Sequence, residues 1–212
     1  MIEIFNSGGP VMVPLLLCSL ISLTVIIERA IFWAIVGMRA NKRLLNQVMD
    51  LCQVGDWDGI RRIAAGSKSY VIRILISGIL HREYSMIKAM ESAAADEIAR
   101  MRRYMGVLDT IITVAPLLGI FGTVIGIIAS FDMLGAGGID HPEAVTRGIA
   151  QALITTASGL GIAILTVFPF NYFNARIERA ARFIEKYATS LEIVYEKITI
   201  QNGTTVEADH EG

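Results

Sequence analysis

The stretch that decides the fold is VLDTIITVAPLLGIFGTVIGIIASFDML, residues Val107–Leu134. It is longer than the roughly 20 apolar residues that a helix needs to cross a bilayer, and no ionisable Asp, Glu, Lys, Arg or His lies between Thr110 and Phe131. A second such stretch is GIAQALITTASGLGIAILTVFPFNYF, residues Gly148–Phe173, and a shorter one covers Pro10–Ile27. We therefore predict an all-α membrane protein with three transmembrane helices per subunit.

Composition excludes several other classes of protein. Apolar residues make up 53% of the chain and charged residues 18%, whereas soluble domains carry about a quarter charged residues. The 19 Lys and Arg against 20 Asp and Glu leave no basic excess for a nucleic-acid partner. Cys18 and Cys52 are too few for a disulfide framework, and His81, His141 and His210 lie in three separate segments, so no metal site is predicted. No nucleophile–base pair points to an enzyme, and no cofactor is expected.

Basic residues predict the orientation, because cytoplasmic flanks of spanning helices are enriched in Lys and Arg. The segment Gly37–Gly106 contains twelve of them: Arg39, Lys42, Arg43, Arg61, Arg62, Lys68, Arg73, Arg82, Lys88, Arg100, Arg102 and Arg103. The segment after the third span begins with four more: Arg176, Arg179, Arg182 and Lys186. The stretch Asp132–Thr146 has none. The N-terminus is therefore predicted to be periplasmic and the C-terminus cytoplasmic.

These patterns define the predicted organisation of the chain. The spans are residues 10–36, 107–134 and 148–173; the periplasmic parts are residues 1–9 and 135–147; the cytoplasmic parts are residues 37–106 and 174–212. Within the first cytoplasmic part, apolar spacing predicts helices at Asn41–Val54, Asp56–Ala65 and Tyr70–His81. No Gly or Pro interrupts Ser85–Tyr104 before the second span, so we expect one helix from Ser85 to Leu134. The third span is expected to continue as a helix as far as Asn202–Gly203.

Spans two and three each carry a face of small and polar residues. In span two, glycines at positions 119, 122 and 126 would let another helix approach closely, and Thr123 adds a hydroxyl near mid-membrane. In span three, a helical projection gathers small and polar residues within one arc. That arc contains Gly148, Gln151, Ala152, Thr155, Thr156, Ser158, Gly159 and Ala163. The opposite side contains Ile149, Leu153, Ile154, Leu160 and Ile164.

Two interpretations of these faces are open. The hydroxyls could simply bond to carbonyls of their own helix while the small residues pack. Alternatively, the two polar faces could line an ion pathway or a groove for a partner helix. Proton relays inside membranes usually need a titratable group. No Asp, Glu, Lys, Arg or His lies between Thr110 and Phe131 or between Gly148 and Ala175, so the carboxylate would have to come from another chain. Glu28 and Arg29, adjacent near the end of span one, are interpreted as an interface anchor or a local ion pair.

Two motifs resemble those of a known family. The stretch Gly119–Ile127, GIFGTVIGI, resembles the second-span motif of the MotA/TolQ/ExbB proton channel family, and Gly148–Ala157, GIAQALITTA, resembles its third-span motif. The sequences Ile27-Glu28-Arg29 and Gly55-Asp56-Trp57 are similar to the ExbB/TolQ branch. Many relatives have Glu where Gln151 stands. Their proline after the third-span motif usually falls where Leu165 stands, whereas here it is Pro169.

The resemblance implies a bacterial inner-membrane subunit that assembles as a homo-oligomer, expected to be a pentamer, in the lipid bilayer. Helices two and three would line a pore and extend into the cytoplasm, with Thr123, Thr156, Thr155 and Gln151 along the ion pathway. An ExbD/TolR-like single-span partner would supply the protonatable Asp. Proton flow would then drive work in the envelope, such as TonB-dependent-type transport or envelope maintenance, through a TonB/TolA-like protein.

Two other functions fit the same features less well. A non-conducting membrane scaffold that clamps partner helices would keep the small faces and make Thr123 and Thr156 structural. A self-sufficient transporter of small solutes is disfavoured, because three spans without an inverted repeat or a charged midplane site offer little to bind a substrate.

Overall fold

The computed structural model describes residues 9–38, 42–137 and 142–210, which form seven helices and no strand. The all-α prediction is therefore confirmed for these residues. The helices are α1 (Met12–Met38), α2 (Lys42–Gln53), α3 (Trp57–Ala64), α4 (Tyr70–Leu80), α5 (Arg82–Arg102), α6 (Met105–Gly137) and α7 (Pro142–His210). Predictions for residues 1–8, and for residues 138–141 with His141, lie outside the described part of the chain.

Three helices, α1, α6 and α7, are long and apolar enough to cross a membrane, as predicted. Between spans two and three, α6 continues to Gly137 and α7 begins at Pro142. Proline is favoured at the first position of a helix, where its missing N–H has no intrahelical partner to lose. At the other end, α7 continues through Asn202–Gly203 to His210.

The expected single helix from Ser85 to Leu134 is wrong, because it is interrupted between α5 and α6. Arg103 ends α5 with an extended ψ of 133°, and Tyr104 follows with a φ of 64°. The left-handed region is uncommon for residues other than glycine. The helix was predicted to start at Ser85, and α5 does have a kink there. The backbone of Ser85 is non-helical, and its Oγ accepts a hydrogen bond from the Lys88 N–H at 3.4 Å.

The chain divides into two compact units, of which the first comprises the described residues up to Ile31 together with Tyr104–Asn174. Its centre is the contact between α6 and α7, described below. The start of α1 joins it through an apolar cluster of Val11, Met12 and Leu15 with Ile111 and Ala115 of α6. Large apolar side chains elsewhere on these helices are exposed in the single chain, as surfaces facing lipid or other subunits are.

The second unit contains Phe32–Arg103 and the chain from Ala175 onward. Its core is an apolar cluster to which five helices contribute. The members are Leu45, Val48, Cys52, Ile60, Ala64, Val71, Ile72, Ile74, Leu75, Ile79, Met86, Met90, Ile184 and Leu191. Tyr195 of α7 extends the packing, since its ring meets Trp57 at 6.0 Å and its hydroxyl donates to the carbonyl of Arg82 at 3.1 Å.

The three short helices of this unit confirm the amphipathic segments read from the sequence. In α3 the N-cap residue is Asp56, whose Oδ1 accepts a hydrogen bond from the Gly59 N–H at 2.8 Å. Such a cap satisfies one of the N–H groups that a helix start leaves without an intrahelical partner. Gly55, at a φ of 70°, makes the turn that precedes it.

Candidate functional site

Two stripes of small residues bring α6 and α7 into close antiparallel contact. On α6 the stripe is Ala115, Gly119, Gly122, Gly126 and Ser130; on α7 it is Gly148, Ala152, Thr155, Gly159 and Ala163. All but Gly148 are buried, and that glycine is half-buried. The spacing of three and four residues keeps each stripe on one side of its helix. Stripes of small residues allow backbones in membranes to approach closely and gain van der Waals contact.

The glycines at the centre of this contact have no room for a side chain. A Cβ added to Gly119 would lie 3.0 Å from the carbonyl oxygen of Thr155 and 3.0 Å from Cα of Thr156. One added to Gly122 would lie 2.7 Å from Oγ1 of Thr155. One added to Gly159 would collide with the carbonyl oxygen of Ala115.

The glycines nearer the other end of the contact are similarly enclosed. A Cβ on Gly126 would lie 3.0 Å from the Cβ of Ala152 and 3.2 Å from the carbonyl oxygen of Gly148. A Cβ on Gly148 would collide with the hydroxyl of Ser130. All five glycines that the sequence suggested for helix packing therefore lie where α6 and α7 meet.

Thr123 and Thr156 meet across this contact, hydroxyl to hydroxyl. The hydroxyl of Thr156 donates to the carbonyl of Gly119 on the facing helix at 3.0 Å. That of Thr123 reaches the same carbonyl at 3.1 Å and the carbonyl of Ala152 at 3.3 Å. Both threonines are half-buried. We call this group of two hydroxyls and the carbonyl of Gly119 the threonine pair.

The other two residues predicted for the ion pathway differ in their relation to the threonine pair, because Thr155 shares the carbonyl of Ala152 with Thr123 whereas Gln151 does not. Thr155 is 1% exposed, donates to the carbonyl of Ala152 at 2.7 Å, and packs its side chain against Gly122. The amide of Gln151 lies against Gly9, just before α1. The structure thus joins Thr123 and Thr156 hydroxyl to hydroxyl, links Thr155 to them only through the carbonyl of Ala152, and places the Gln151 amide elsewhere.

Hydroxyls along both helices also bond to carbonyls of their own helix. Ser130 donates to Gly126 at 2.8 Å, and Ser158 donates to Ile154 at 2.8 Å. Thr113 does the same with Asp109 at 3.2 Å. This is the common behaviour of Ser and Thr within helices. The threonine pair differs because its bonds also cross between helices.

The charged residues of the first unit lie towards the ends of the helices. Asp109 and Asp132, the carboxylates that flank the apolar part of α6, are both exposed. Near the end of α1, the Nη2 of Arg29 donates to Oε1 of Glu28 at 2.5 Å. Arg29 is only 2% exposed, and its guanidinium lies 5.7 Å from the centre of the Tyr104 ring. The expected ion pair is therefore present, and its arginine is buried.

A comparison with protein families matches residues 67–186 to the MotA/TolQ/ExbB proton channel family. The chain belongs to this family. Among its relatives, biopolymer transport protein ExbB-like 3 of Synechocystis is 35% identical, over 90% of this chain and 93% of that protein. Biopolymer transport protein ExbB of Neisseria meningitidis is 28% identical over 90% and 94%. Tol-Pal system protein TolQ of Pseudomonas aeruginosa is 30% identical over 75% and 79%.

Membership of the MotA/TolQ/ExbB family agrees with the architecture. The matched residues include both small-residue stripes and the threonine pair. With three helices long and apolar enough to cross a bilayer, the chain is an integral membrane protein. Its relatives, named for ExbB and TolQ, support a role as a proton-channel subunit that energises transport.

One contact of the second unit was missed by sequence reasoning. The guanidinium of Arg176 lies over the ring of Trp33 at 5.6 Å from its centre. The sequence did contain one indication of this contact. Each residue lies at the end of an apolar run, where Trp and Arg favour the membrane interface. No spacing rule connects the two, because they lie in distant parts of the sequence.

Proposed function

We propose that this chain is the ring-forming subunit of a proton-driven motor in the bacterial inner membrane. A single-span partner of the ExbD/TolR type would enter the ring and carry the protonatable Asp. The observation that carries this proposal is the threonine pair, which places two hydroxyls of facing helices together in stretches that contain no Asp, Glu, Lys, Arg or His. The chain would provide polar groups, and the partner would provide the acid.

The chemistry of a hydroxyl suits such a role. Each threonine hydroxyl both donates and accepts a hydrogen bond, so it can serve a carboxylate or a protonated carboxyl group alike. Inside a membrane, a titrating group needs such partners because an unsatisfied charge is costly there. A rotation of the Thr123 or Thr156 side chain would exchange its bond to the Gly119 carbonyl for one to the partner.

The exposed apolar faces support assembly around a partner. Residues such as Leu117, Phe121 and Val124 on α6, and Leu153 and Ile164 on α7, are about half or more exposed in the single chain. Lipid can cover some of them, and neighbouring copies and the partner would cover the others. We propose a pentamer of this chain around the partner's helix, as the family resemblance implies.

Charge along the sequence supports the proposed orientation, with a periplasmic N-terminus and a cytoplasmic C-terminus. Arg147, close to the start of α7, is a single basic residue against the twelve between Gly37 and Gly106. The second unit, with its soluble-type core, would then lie in the cytoplasm. A TonB/TolA-like protein would transmit the work to outer-membrane transport or to envelope maintenance.

A non-conducting scaffold is the second candidate. It is favoured by one observation: the hydroxyls of the threonine pair already bond to the carbonyls of Gly119 and Ala152. In that case Thr123 and Thr156 would hold α6 against α7 and the partner helix would be clamped without ion flow.

The test replaces both threonines, Thr123→Val with Thr156→Val, in the chain co-expressed with its single-span partner. Removing both hydroxyls together does not leave one hydroxyl without its hydrogen-bond partner, so the loss of stability should be small. Proton uptake by vesicles containing the purified complex should be lost, while partner co-purification is retained. The matched control is Thr113→Val, since that hydroxyl bonds within its own helix at 3.2 Å.

Each result separates the candidates. Proton uptake at the wild-type rate by the double variant would refute the role of the threonine pair. A wild-type complex that retains its partner but passes no protons under a membrane potential would refute the motor and favour the scaffold.

A further inference from the structure

A cavity of about 240 Å³ lies in the second unit, away from the threonine pair. Its walls combine aromatic rings with two guanidinium groups. The lining residues used below are Trp33, Tyr70, Arg176, Arg179 and Phe183. We call it the Trp33 cavity. The described residues that line it include two arginines and no carboxylate.

Trp33, which lines this cavity, carries an indole N–H that has no acceptor among the described residues. Trp33 is 6% exposed, and its Nε1 is buried without a hydrogen-bond partner. The indole N–H can only donate, and buried polar groups in folded proteins nearly always find a partner. An acceptor entering the cavity would satisfy it.

The arginines make an anion the best acceptor. Arg176 stacks over the Trp33 ring at 5.6 Å, and Arg179 lies one turn further along α7. The Nε of Arg179 donates to the carbonyl of Ala175 at 3.1 Å, which uses one of the five N–H donors of its guanidinium. Guanidinium groups match phosphate oxygens in charge and geometry.

Tyr70 adds a further donor. Burial raises the pKa of the Tyr70 hydroxyl, and the positive charge of Arg176 opposes that rise only in part. The hydroxyl therefore remains protonated at neutral pH and can donate. An indole N–H, a phenol O–H and two guanidinium groups form a donor set suited to a phosphate and unsuited to a cation.

The position of these residues along the chain points to the source of the phosphate. Trp33 lies in the last part of the apolar run of α1, and Arg176 follows Phe173, the last apolar residue of the third span. Both are therefore at the membrane boundary where phospholipid headgroups lie, and basic pockets at such boundaries bind anionic headgroups. We propose that the Trp33 cavity binds the phosphate of an anionic phospholipid.

The binding experiment uses the full-length protein in mild detergent, with Trp57→Phe as the background. The chain has two tryptophans, so Trp33 then becomes the fluorescent reporter. Phosphatidylglycerol, phosphatidylcholine and inorganic phosphate are titrated separately. Phosphatidylglycerol should change the emission in a saturable way, whereas phosphatidylcholine should bind more weakly and inorganic phosphate should not saturate the response.

Variants assign the binding to the cavity. Arg176→Gln with Arg179→Gln should weaken phosphatidylglycerol binding by at least about tenfold, because charge-assisted hydrogen bonds are lost. The control is Arg182→Gln on the same helix, where the arginine is exposed and lies 3.8 Å from Glu178 outside the cavity; it should change binding less than about twofold. Trp33→Phe, measured by lipid retention in native mass spectrometry, should also lower retention.

Three results would overturn the proposal. Equal phosphatidylglycerol binding by the double variant and the Arg182→Gln control would show that the cavity is not the site. Saturation of the response by inorganic phosphate would assign it to a free anion instead of a lipid. Loss of self-association in the double variant, without any change in lipid binding, would make the cavity a contact between copies of the chain. Circular dichroism of each variant checks that the helices remain folded.

Discussion

Substitution of Gly159 by alanine tests how closely α6 and α7 approach. The added Cβ would collide with the backbone carbonyl oxygen of Ala115 and lie 3.1 Å from Cα of Gly119. A backbone obstacle cannot rotate away as a side chain can, so the helices themselves must separate. Overpacking of this kind costs about 1–3 kcal/mol, and we expect the upper half of that range.

Gly161→Ala is the matched control. Gly161 lies two residues further on the same helix, and a Cβ there would meet no atom of the described residues within 4 Å. Both substitutions gain the same intrinsic helix preference of alanine over glycine, about 0.5–1 kcal/mol. The difference between the variants therefore isolates the packing term, and we expect it to be about 2–3 kcal/mol in favour of Gly161→Ala.

Thermal unfolding in mild detergent measures this difference, with the folded fraction followed by size-exclusion chromatography after heating. For a chain of this length, each kcal/mol corresponds to a midpoint shift of about 2–4 °C. Gly159→Ala should therefore unfold at least about 4 °C below Gly161→Ala. Equal midpoints would refute the close approach at Gly159 and, with it, the register of the two small-residue stripes.

Two further predictions concern the second unit. Cys52 is fully buried, and burial raises its pKa to about 12. Only about one such thiol in ten thousand is ionised at pH 8, so maleimide should leave Cys52 unmodified until the protein is denatured. Rapid labelling of Cys52 in the native protein, detected by mass spectrometry, would contradict this burial. Asp56→Ala should lower the free energy of unfolding by about 1 kcal/mol, because α3 loses its N-terminal cap. Asp58→Ala changes an exposed residue in the first turn of the same helix and should lower stability less in the same melting assay. Equal losses would contradict the capping role of Asp56.

The sequence was sufficient to predict the helices and the small faces because both depend on local periodicity. The apolar side of span three, with Leu153 and Ile164, is exposed, and the opposite side, with Ala152 and Gly159, is buried. A projection at 100° per residue separates the two sides without knowledge of any neighbour. Residue type, also a local signal, indicated Asp56 at a helix start, because an Asp that follows a break can cap a helix.

The composition of the candidate site was less predictable, because it depends on the register between two helices. Thr123, Thr155, Thr156 and Gln151 all lie on the polar faces, yet the structure joins only Thr123 and Thr156 hydroxyl to hydroxyl. A difference of one residue on a helix rotates a side chain by about 100°. This rotation directs the side chain of Thr155 to Gly122 and that of Thr156 to Thr123. A helical projection of the sequence places both threonines on the same polar face and does not distinguish them.

The break between α5 and α6 was not predictable from local sequence at all. No Gly or Pro stands at Arg103 or Tyr104, the nearest glycine, Gly106, is already within α6, and the left-handed φ of 64° falls on a tyrosine. A bulky residue keeps such a conformation only when its surroundings hold it there. The guanidinium of Arg29 lies 5.7 Å from the centre of the Tyr104 ring and can supply part of that stabilisation as a cation–π contact. The sequence suggested an interface anchor or a local ion pair for Glu28 and Arg29; the ion pair is present, and its arginine also contacts the turn in a distant segment. The helix break is thus a tertiary effect, and a search for breaker residues could not have found it.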